Sequence, residues 1–436
     1  MDSVTPGVEE QSKARILVEK IMNMTLDLGR SKNIEMDFKL ELVGSMAKGT
    51  QLRGGDVDIF VLFDQTVPKE DLKDTILLLG KTLFQKHVIR YAEHPYVRGM
   101  MDGMEIDLVP CYHLSSGDPI QSAVDRTPFH TRYVQTHLKS EQQDEVRLLK
   151  QFLKGIGCYG AENKTMGFSG YLCELLVLKS GTFLEVLKMV SSWKEEMIID
   201  LEDLGYSGHR ERSQIIVVDP VDGSRNVASP ISDLNLSRFI HAARRFLEHP
   251  SMTFFFPISY HQLPSSELEE LVRNRGVIIC IEFSCVDIVD DILYPQLRLT
   301  VNRVNQLMTD HGFPVDDSGI VVTDSVFLLL HTAIRELPKR KLHRGPKVYH
   351  REHSTKFLKK WESEGAFLKD DRWYVYAPVK YQTPHELLIA EIPQISTGRH
   401  VKQSISKGYR LLNGKEIPEF VLSKFLDKRM PWEIET

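Results

Sequence analysis

The sequence has few cysteines, and none is spaced as in a metal site or a redox motif. The five cysteines are an odd number, lie among apolar residues and include no Cys-x-x-Cys pair. They are Cys111, Cys158, Cys173, Cys280 and Cys285. We therefore predict reduced, buried thiols rather than disulfides or metal ligands. His94 and His130 have no second His or Cys at ligand spacing, which argues against zinc.

Long apolar runs, repeats and low-complexity tracts are also lacking. No apolar stretch approaches the roughly eighteen residues that a membrane span requires, and the opening stretch MDSVTPGVEEQSKAR has no basic-then-apolar signal. We therefore expect a cytoplasmic protein. With 436 residues, of which 42% are hydrophobic and 26% charged, the chain is an ordinary globular one. Its length suffices for about three domains.

An excess of positive charge is missing as well, since the formal net charge is −5. The overall balance therefore does not indicate a nucleic-acid-binding protein. Basic residues are nevertheless concentrated between Arg335 and Lys360, where ten Lys or Arg stand against two acids, with Tyr349 and three His among them. This local pattern predicts an RNA-binding segment. A solvated helical face is the alternative.

The most informative stretch is LVGSMAKGTQLRGGDVDIFVLF, from Leu42 to Phe63. Alternating apolar residues from Phe38 predict a strand that ends at Gly44-Ser45. Gly44 allows the backbone to come close to a ligand, and Ser45 is expected to cap a short helical turn that begins at Met46. Free N–H groups at such a turn favour phosphate, which suits a nucleoside triphosphate.

Three carboxylates are predicted to lie close together on neighbouring strands. Asp56 and Asp58 are two residues apart in a strand-like run, so their side chains point to the same face. Asp107 lies in a second such run, Met104 to Val109, with apolar residues on both sides. Hard oxygen ligands suit Mg²⁺, and two such ions activate an attacking hydroxyl and stabilise a leaving pyrophosphate. The pattern predicts a two-magnesium nucleotidyl-transfer site.

A lone Asp-x-Asp in a strand is more often structural or a surface pair. The Gly-Ser turn, about ten residues before the acid pair, and a third acid, about fifty residues after it, make the catalytic interpretation much more specific. We therefore predict that Asp56, Asp58 and Asp107 are both the catalytic residues and the metal ligands.

Further segments carry a family resemblance along most of the chain. They are RYAEHPYV from Arg90, SAVDRTPFH from Ser122, EVRLLKQFLKGIGCYGAE from Glu145, GFSGYLCELL from Gly167, VVDPVDGSRNVA from Val217 and DIVDDILYPQL from Asp287. Together with the turn and the acids, they resemble the class I (archaeal-type) CCA-adding enzymes, which are tRNA nucleotidyltransferases of the superfamily that includes DNA polymerase beta. The resemblance spans roughly residues 10 to 300 and continues faintly to GRHVKQSI near Gly398.

The resemblance implies which residues surround the incoming nucleotide. It places five side chains around the triphosphate: Ser45, Lys48, His130, Lys150 and Tyr159. From the residues alone, a surface lysine at Lys150 and a packed tyrosine at Tyr159 remain alternatives. Three positions depart from the family pattern, namely Met46, Lys48 and Gln51. Of these, Lys48 replaces an arginine found in some members, which keeps the charge but loses a bidentate fork.

Arg225, delivered by the turn-rich string from Asp219 to Asn226, is predicted to read the incoming base. A guanidinium donates in a fixed fork to acceptors such as cytosine O2 and N3 or adenine N1, whereas uracil presents a donor at N3. The alternative is a structural arginine that pairs with Asp219 or Asp222.

The predicted fold class is α+β and multidomain. Residues 1–140 are expected to form a catalytic nucleotidyltransferase head with a small mixed sheet and helices on one face. Residues 141–257 are expected to form a mostly helical neck that binds the base, and residues 258–436 an α+β body for tRNA, with a helical tail inserted at about 325–364.

The predicted function is therefore addition of C, C and A to the tRNA 3′ end from CTP and ATP, with Mg²⁺ and without a nucleic-acid template. The expected partner is tRNA, bound through its acceptor stem and adjoining arm. Repair of damaged CCA ends and a homodimer are left open by the sequence. Two alternatives are a related polymerase, such as a poly(A) polymerase or oligoadenylate synthetase, and a catalytically dead tRNA-binding scaffold. The three intact acids argue against the scaffold.

Overall fold

The computed structural model describes residues 1, 3–32, 37–91, 95–115, 118–208, 214–258, 260 and 262–434. The middle of the RYAEHPYV segment, residues 92–94 with His94, therefore lies outside the described residues. The chain forms two compact units, residues 1–259 with 430–436, and residues 260–429. Among the helices of the described residues, none combines the length and the apolar character that crossing a membrane requires.

The helices and strands of the first unit follow in chain order. They are α1 Val8–Ser31, β1 Phe38–Val43, α2 Gly44–Ala47, β2 Val57–Phe63, α3 Lys69–Leu83, β3 His87–Tyr91, β4 Pro95–Met101, β5 Met104–Tyr112, α4 Thr127–His137, α5 Gln142–Gly155, α6 Gly170–Ser180, α7 Phe183–Ser191, β6 Met197–Ile199, β7 Ile215–Asp219, β8 Asp222–Asn226 and α8 Asp233–Glu248. The predicted strand from Phe38 is confirmed.

A five-stranded mixed sheet forms the first part of this unit, in the order β1-β2-β5-β4-β3. Only β2 and β5 run parallel. Their alternating residues divide the sheet into two faces. Ile59 and Leu108 face a core shared with α1 and α3. Asp58 and Asp107, one position away from those residues, therefore point to the opposite face.

Helices α5 to α8 form the second part of the unit around an aromatic core. Phe152 is fully buried there and contacts the rings of Phe183, Phe246 and Phe254. The chain returns at its end, where Trp432 stacks on Phe254 with ring centroids 5.1 Å apart. A small sheet in the order β6-β7-β8 accompanies these helices.

The second unit contains two sheets. Its elements are α9 Ser265–Asn274, β9 Val277–Ser284, α10 Asp290–Asp310, β10 Asp317–Val322, β11 Ser325–Thr332, β12 Arg340–Lys347, α11 Arg351–Lys360, β13 Phe367–Lys369, β14 Arg372–Pro378, α12 Pro384–Glu391, α13 Arg399–Lys407, β15 Arg410–Asn413 and α14 Glu419–Leu426. The strands pair in the orders β10-β11-β9-β15 and β12-β14-β13.

The prediction of a helical tail at 325–364 is wrong for most of that segment. It contains strands β11 and β12 as well as the single α-helix α11. The physical reason is long-range pairing: β11 lies between β9 and β10, and β12 pairs with β14. All three partner strands, β9, β10 and β14, lie outside the segment, so local charge patterns do not reveal them.

Candidate active site

Three carboxylates converge where β2 and β5 begin. In the parallel register, Asp58 lies opposite Asp107, and Asp56 directly precedes β2. One oxygen from each of the three side chains lies within 4.8 Å of the others. We call Asp56, Asp58 and Asp107 the acidic cluster. Side chains of this chemistry and spacing are able to hold divalent cations.

The glycine turn lies directly against this cluster. Gly44 has φ of +72°, and a Cβ atom added to it would lie 2.0 Å from Oδ2 of Asp58. Only glycine therefore fits this position without displacing the carboxylate. The prediction that Ser45 caps a turn beginning at Met46 is wrong, because α2 already begins at Gly44, with Val43 at the N-cap. The strand β1 ends at Val43, and the positive-φ glycine that follows it begins the helical turn directly.

Electrostatic repulsion within the acidic cluster is partly offset by an arginine on β4. Arg98 donates to both oxygens of Asp107, each at 2.6 Å, and its Nη2 lies 3.4 Å from Asp56. Burial, and then the charges of Asp56 and Asp107, raise the pKa of Asp58 to about 7. Burial also raises the pKa of Asp107, although Arg98 opposes the shift. The cluster is therefore short of positive charge, as expected for a cation site.

The two lysines predicted to contact the triphosphate share one buried glutamate. Glu174 of α6 binds Lys48 Nζ at 2.5 Å and Lys150 Nζ at 3.2 Å, and it accepts a hydrogen bond from Thr50 Oγ1 at 2.6 Å. Both lysine side chains are almost fully buried. The alternative of a surface lysine at Lys150 is therefore wrong. We call Lys48 and Lys150 the lysine pair.

Burial and charge oppose each other within this group. Burial lowers the pKa of Lys150, and the charge of Glu174 acts against this shift. For Glu174, burial by itself would raise the pKa, but the charges of Lys48 and Lys150 outweigh it and the pKa is lowered. One carboxylate between two ammonium groups leaves a net positive charge at this place, which suits an anionic ligand.

Tyr159 lies close to the lysine pair. A Cβ atom added to Gly170 would lie 3.2 Å from the Tyr159 hydroxyl and 3.4 Å from Lys150 Nζ. Both groups therefore border the start of α6. Burial raises the pKa of Tyr159, which keeps the hydroxyl protonated and able to donate.

His130 and Arg225 meet at a second buried carboxylate, Asp219. Its Oδ2 accepts from His130 Nε2 and from Arg225 Nη1, both at 2.8 Å. Its Oδ1 accepts from the Tyr171 hydroxyl at 3.2 Å and from the Val221 backbone N–H at 3.1 Å. We call Asp219, His130, Tyr171 and Arg225 the Asp219 network. The pairing with Asp219 that we held as an alternative for Arg225 is thus present in this structure.

The two buried groups are neighbours. The ring of Tyr171 stacks on His130 with centroids 3.9 Å apart, and Lys48 Nζ lies 5.7 Å from the same tyrosine ring. Tyr171 precedes Glu174 by three positions, so a single turn of α6 supplies a member to each group.

Sequence reasoning missed the roles of Arg98, Glu174 and Tyr171. Glu174 had a usable signal, because it is the single acid within GYLCELLVLKS and an unpaired carboxylate is costly in such an apolar helix. Arg98 pairs with Asp107 across two antiparallel strands, which only the register reveals. Tyr171 is indistinguishable in sequence from a packed aromatic residue.

A mixed sheet that carries three clustered acids, beside a glycine turn and a buried group of cationic side chains, defines the protein as a nucleotidyltransferase enzyme. Family models agree with this class along the chain. Residues 27–130 match the nucleotidyltransferase domain, residues 144–256 the second domain of tRNA nucleotidyltransferases, and residues 275–414 the C-terminal domain of CCA-adding enzymes.

Curated relatives identify the particular family. The CCA-adding enzyme of Archaeoglobus fulgidus is 36% identical over 422 residues, covering 96% of this chain and 94% of the relative. The CCA-adding enzyme of Thermoplasma acidophilum is 37% identical over 428 residues, covering 96% and 95%. That of Methanothermobacter thermautotrophicus is 36% identical, covering 99% and 97%. The chain belongs to the family of CCA-adding enzymes.

Proposed function

We propose that this chain adds C, C and A to the 3′ end of tRNA from CTP and ATP, releasing pyrophosphate and using no nucleic-acid template. The observation that carries the proposal is the acidic cluster, in a chain that resembles CCA-adding enzymes over nearly its whole length. Three acids held within 4.8 Å of one another repel each other, and a protein that only binds tRNA gains nothing from that repulsion.

The metal proposed for the acidic cluster is Mg²⁺, held by Asp56, Asp58 and Asp107. The fit rests on this chain's own residues: an all-oxygen donor set, mutual repulsion and a raised pKa of Asp58. When bound there, Mg²⁺ supplies activation of the tRNA 3′-hydroxyl and neutralisation of charge on the leaving pyrophosphate. Arg98, bound to Asp107 and Asp56, holds these two side chains in place beside the glycine turn.

The triphosphate is proposed to lie between the Gly44-Ser45 turn and the lysine pair. Lys48 and Lys150 are already held side by side by Glu174, so little side-chain ordering remains when a phosphate group arrives. Ser45, His130 and Tyr159 are proposed to complete the binding with hydrogen bonds.

Arg225 is proposed to read the Watson-Crick edge of the incoming base. Its side chain is 35% exposed, in contrast to the fully buried Asp219 that holds its Nη1. A partly exposed guanidinium in a fixed position presents donors to cytosine or adenine acceptors, whereas uracil N3–H would face another donor.

The tRNA is proposed to bind to the second unit. In this division of labour, residues 1–140 perform the chemistry, residues 141–257 hold the nucleotide, and residues 258–436 hold the RNA. The basic segment predicted from Arg335 to Lys360 forms β12 and α11. Because every tRNA sequence must be accepted, we expect contacts to phosphates and to general RNA shape rather than to base edges.

The face of the small sheet that α11 does not cover is the best candidate for RNA contact. In the register of β12, β14 and β13, it carries basic and aromatic side chains together. We call it the open sheet face; its members are Arg340, Leu342, Arg344, Phe367, Lys369, Tyr374 and Tyr376. The ring of Phe367 stacks on those of Tyr374 and Tyr376, with centroids 6.3 and 5.9 Å apart. Tyr376 is exposed and the other two rings are partly exposed, and basic groups beside such rings suit phosphates and nucleobases.

The opposite face of the same sheet has a structural role. Val375 and Ala377 pack there against Phe357 of α11, and His343 stacks on Phe357 at 6.0 Å. Since α11 already covers this face, RNA binding is assigned to the open sheet face. A cytoplasmic location and a homodimer are parts of the proposal that fractionation and sedimentation velocity test separately.

One set of incubations tests the proposed activity. Transfer RNA that lacks its 3′ CCA is supplied with CTP, with ATP, or with both, and the products are sized on a gel. We expect two added residues with CTP, three with both nucleotides, and none with an Asp58→Asn control. Long tails from ATP alone would instead indicate a poly(A)-type polymerase, and RNA binding without any extension would indicate a scaffold. Substrates ending in C or CC test repair.

A further inference from the structure

Asp219 binds two residues that have different roles in the proposed function. His130 comes from α4 and is assigned to the triphosphate, whereas Arg225 comes from β8 and is assigned to the base. Both donate to the same oxygen of Asp219 at 2.8 Å, although His130 is 89 positions away from it in sequence. The two ends of the nucleotide site are therefore tied to one buried atom.

The hydrogen bonding of Asp219 leaves it no freedom to turn. Both oxygens accept two hydrogen bonds each, which fills the acceptor sites of a carboxylate. Burial alone would raise the pKa of Asp219, but hydrogen bonds from His130 and Arg225 outweigh it and the pKa is lowered. The side chain is therefore ionised, and His130 Nε2 carries the donated proton.

A second ion pair at the same junction has no such connection to the nucleotide site. Arg126, four positions before His130, binds Asp222, three positions after Asp219, with Nε and Nη2 both 3.0 Å from Oδ2. This pair also joins the head to the β7–β8 turn. If both groups served only to hold the head against the β7–β8 turn, losing the Arg126–Asp222 pair and losing the Asp219 network would have the same effect on activity.

We propose that Asp219 is a positioning residue that fixes Arg225 relative to His130, so that base selection is made only with the triphosphate correctly seated. This inference rests on the proposed function, in particular on base reading by Arg225. A guanidinium discriminates between bases only while its fork keeps one direction, because a free arginine side chain adapts to many acceptors. Asp219 fixes that direction by accepting a hydrogen bond from Nη1 of Arg225. Tyr171 holds Asp219 in turn, by donating to its other oxygen.

The test measures single-nucleotide addition by the full-length chain to tRNA that lacks CCA, with CTP and with UTP separately. Asp219→Asn keeps the shape of the side chain but turns one acceptor oxygen into a donor. We expect the ratio of kcat/KM for CTP to that for UTP to fall about tenfold or more, the size expected when a charged hydrogen bond is lost. We also expect KM for CTP to rise, because His130 loses its orientation. Undiminished selectivity in a folded Asp219→Asn enzyme overturns the proposal.

Asp222→Asn is the matched control, since it removes the carboxylate that pairs with Arg126 without touching Arg225. It should lower Tm as Asp219→Asn does, or less, and keep the CTP preference of the wild type. Equal losses of selectivity in the two variants would mean that the junction as a whole is needed, and would refute a special role for Asp219. Should Asp219→Asn fail to fold, Tyr171→Phe removes one hydrogen bond from Asp219 and should give a smaller loss of selectivity; unchanged selectivity there counts against the proposal.

Arg225→Ala separates this inference from the function on which it rests. If Arg225→Ala keeps the CTP preference, base reading by Arg225 has failed, and the positioning proposal fails with it. If Arg225→Ala loses the preference while Asp219→Asn keeps it, only the positioning proposal fails. In the double variant, we expect no further loss of selectivity beyond Arg225→Ala, because Asp219 acts through the arginine.

Discussion

A Cβ atom on Gly44 would lie 2.0 Å from Oδ2 of Asp58, so the glycine turn and the acidic cluster are in direct van der Waals contact. Any side chain at position 44 would displace the carboxylate of Asp58. The turn allows the Asp58 side chain to lie across the end of β1, where the register pairs Val43 with Asp58. The contact explains why a glycine precedes Ser45 in this motif, beyond the conformational freedom that a φ of +72° requires.

Gly44→Ala should therefore nearly abolish transfer, whereas Gly54→Ala should not. Both glycines have positive φ, +72° and +70°, so each variant bears a similar backbone strain of about 1–2 kcal/mol. Only at position 44 does the methyl group displace a carboxylate, and a shift of about 1 Å in such a group reduces rates about a hundredfold. Nothing lies within 4 Å of a Cβ at Gly54. Single-turnover rates with matched Tm values measure the difference, and equal rates would disprove the contact's importance.

Asp58→Asn should abolish activity and stabilise the metal-free protein. The folded-state pKa of about 7 lies above the ordinary 3.8, so the folded state holds a proton that the unfolded state has lost. The stability of the wild type should then fall, relative to the variant, as pH rises from about 4 to about 7. At pH 8 in EDTA we expect an advantage for Asp58→Asn on the order of 2 kcal/mol, since each pKa unit corresponds to about 1.4 kcal/mol and solvent weakens the effect.

Adding Mg²⁺ should reverse that order. The wild type gains stability through a cation bound to the acidic cluster, whereas Asp58→Asn lacks one of its three carboxylates. Denaturant midpoints in EDTA and in Mg²⁺, measured at pH 5 and pH 8, give the comparison. A wild type that remains more stable than the variant in EDTA at pH 8 would argue against repulsion in the cluster.

The acidic cluster was predictable from the sequence because each of its acids lies at or in a strand-like run that a local pattern reveals. The period of two in strands aligns Asp56 with Asp58, and one further strand brings Asp107 beside them. Glu174 was not assigned to the site, because its lysine and threonine partners lie far away in sequence. Lys48 is 126 positions from Glu174, and no local pattern encodes a pairing at that distance.

The error in the second unit has a similar origin. The sequence predicts that Arg340 to Lys347 belong to a helical tail, but this stretch forms a strand whose partner β14 begins at Arg372. Strand formation depends on the neighbour that supplies hydrogen bonds and packing more than on intrinsic propensity. By contrast, the apolar residues of α1 and α5 repeat at helical spacing within the helix itself, so a local pattern is enough to predict such helices.

Glu174→Gln should destabilise the first unit by about 3–5 kcal/mol, because it leaves two nearly buried ammonium groups without their carboxylate. Lys150 would then lose the interaction that opposes its lowered pKa. Nucleotide affinity should consequently weaken more at pH 9 than at pH 7 as Lys150 loses its proton. Denaturant unfolding and KM for CTP at the two pH values provide the measurement.

The control for this prediction is Glu185→Gln, which removes an exposed carboxylate paired with Lys188 on α7. Such surface pairs contribute about 0–1 kcal/mol, so neither stability nor the pH dependence of KM should change appreciably. If Glu174→Gln is as stable as Glu185→Gln, the lysine pair does not depend on Glu174.

The open sheet face should bind tRNA through two separable contributions. Arg344→Glu replaces a positive charge next to Tyr374 by a negative one and removes one phosphate contact, so tRNA affinity should fall and the dependence of log Kd on log salt should become shallower by about one. Tyr376→Ala removes a ring that is 54% exposed. Because stacking on a base does not release counterions, this variant should weaken binding about tenfold and leave the salt dependence unchanged. CTP binding should be unaffected in both.

Lys356→Glu on α11 is the matched control, because it makes the same charge change in the basic segment but on the helix that covers the other face of the sheet. Arg340 is less suitable, since it is already paired with Glu364 and with the Tyr376 carbonyl. Binding is measured by fluorescence anisotropy of labelled tRNA from 50 to about 300 mM salt, the range in which phosphate contacts are lost. If Lys356→Glu weakens tRNA binding and Arg344→Glu does not, the RNA lies along α11, and the aromatic rings of the open sheet face have another purpose.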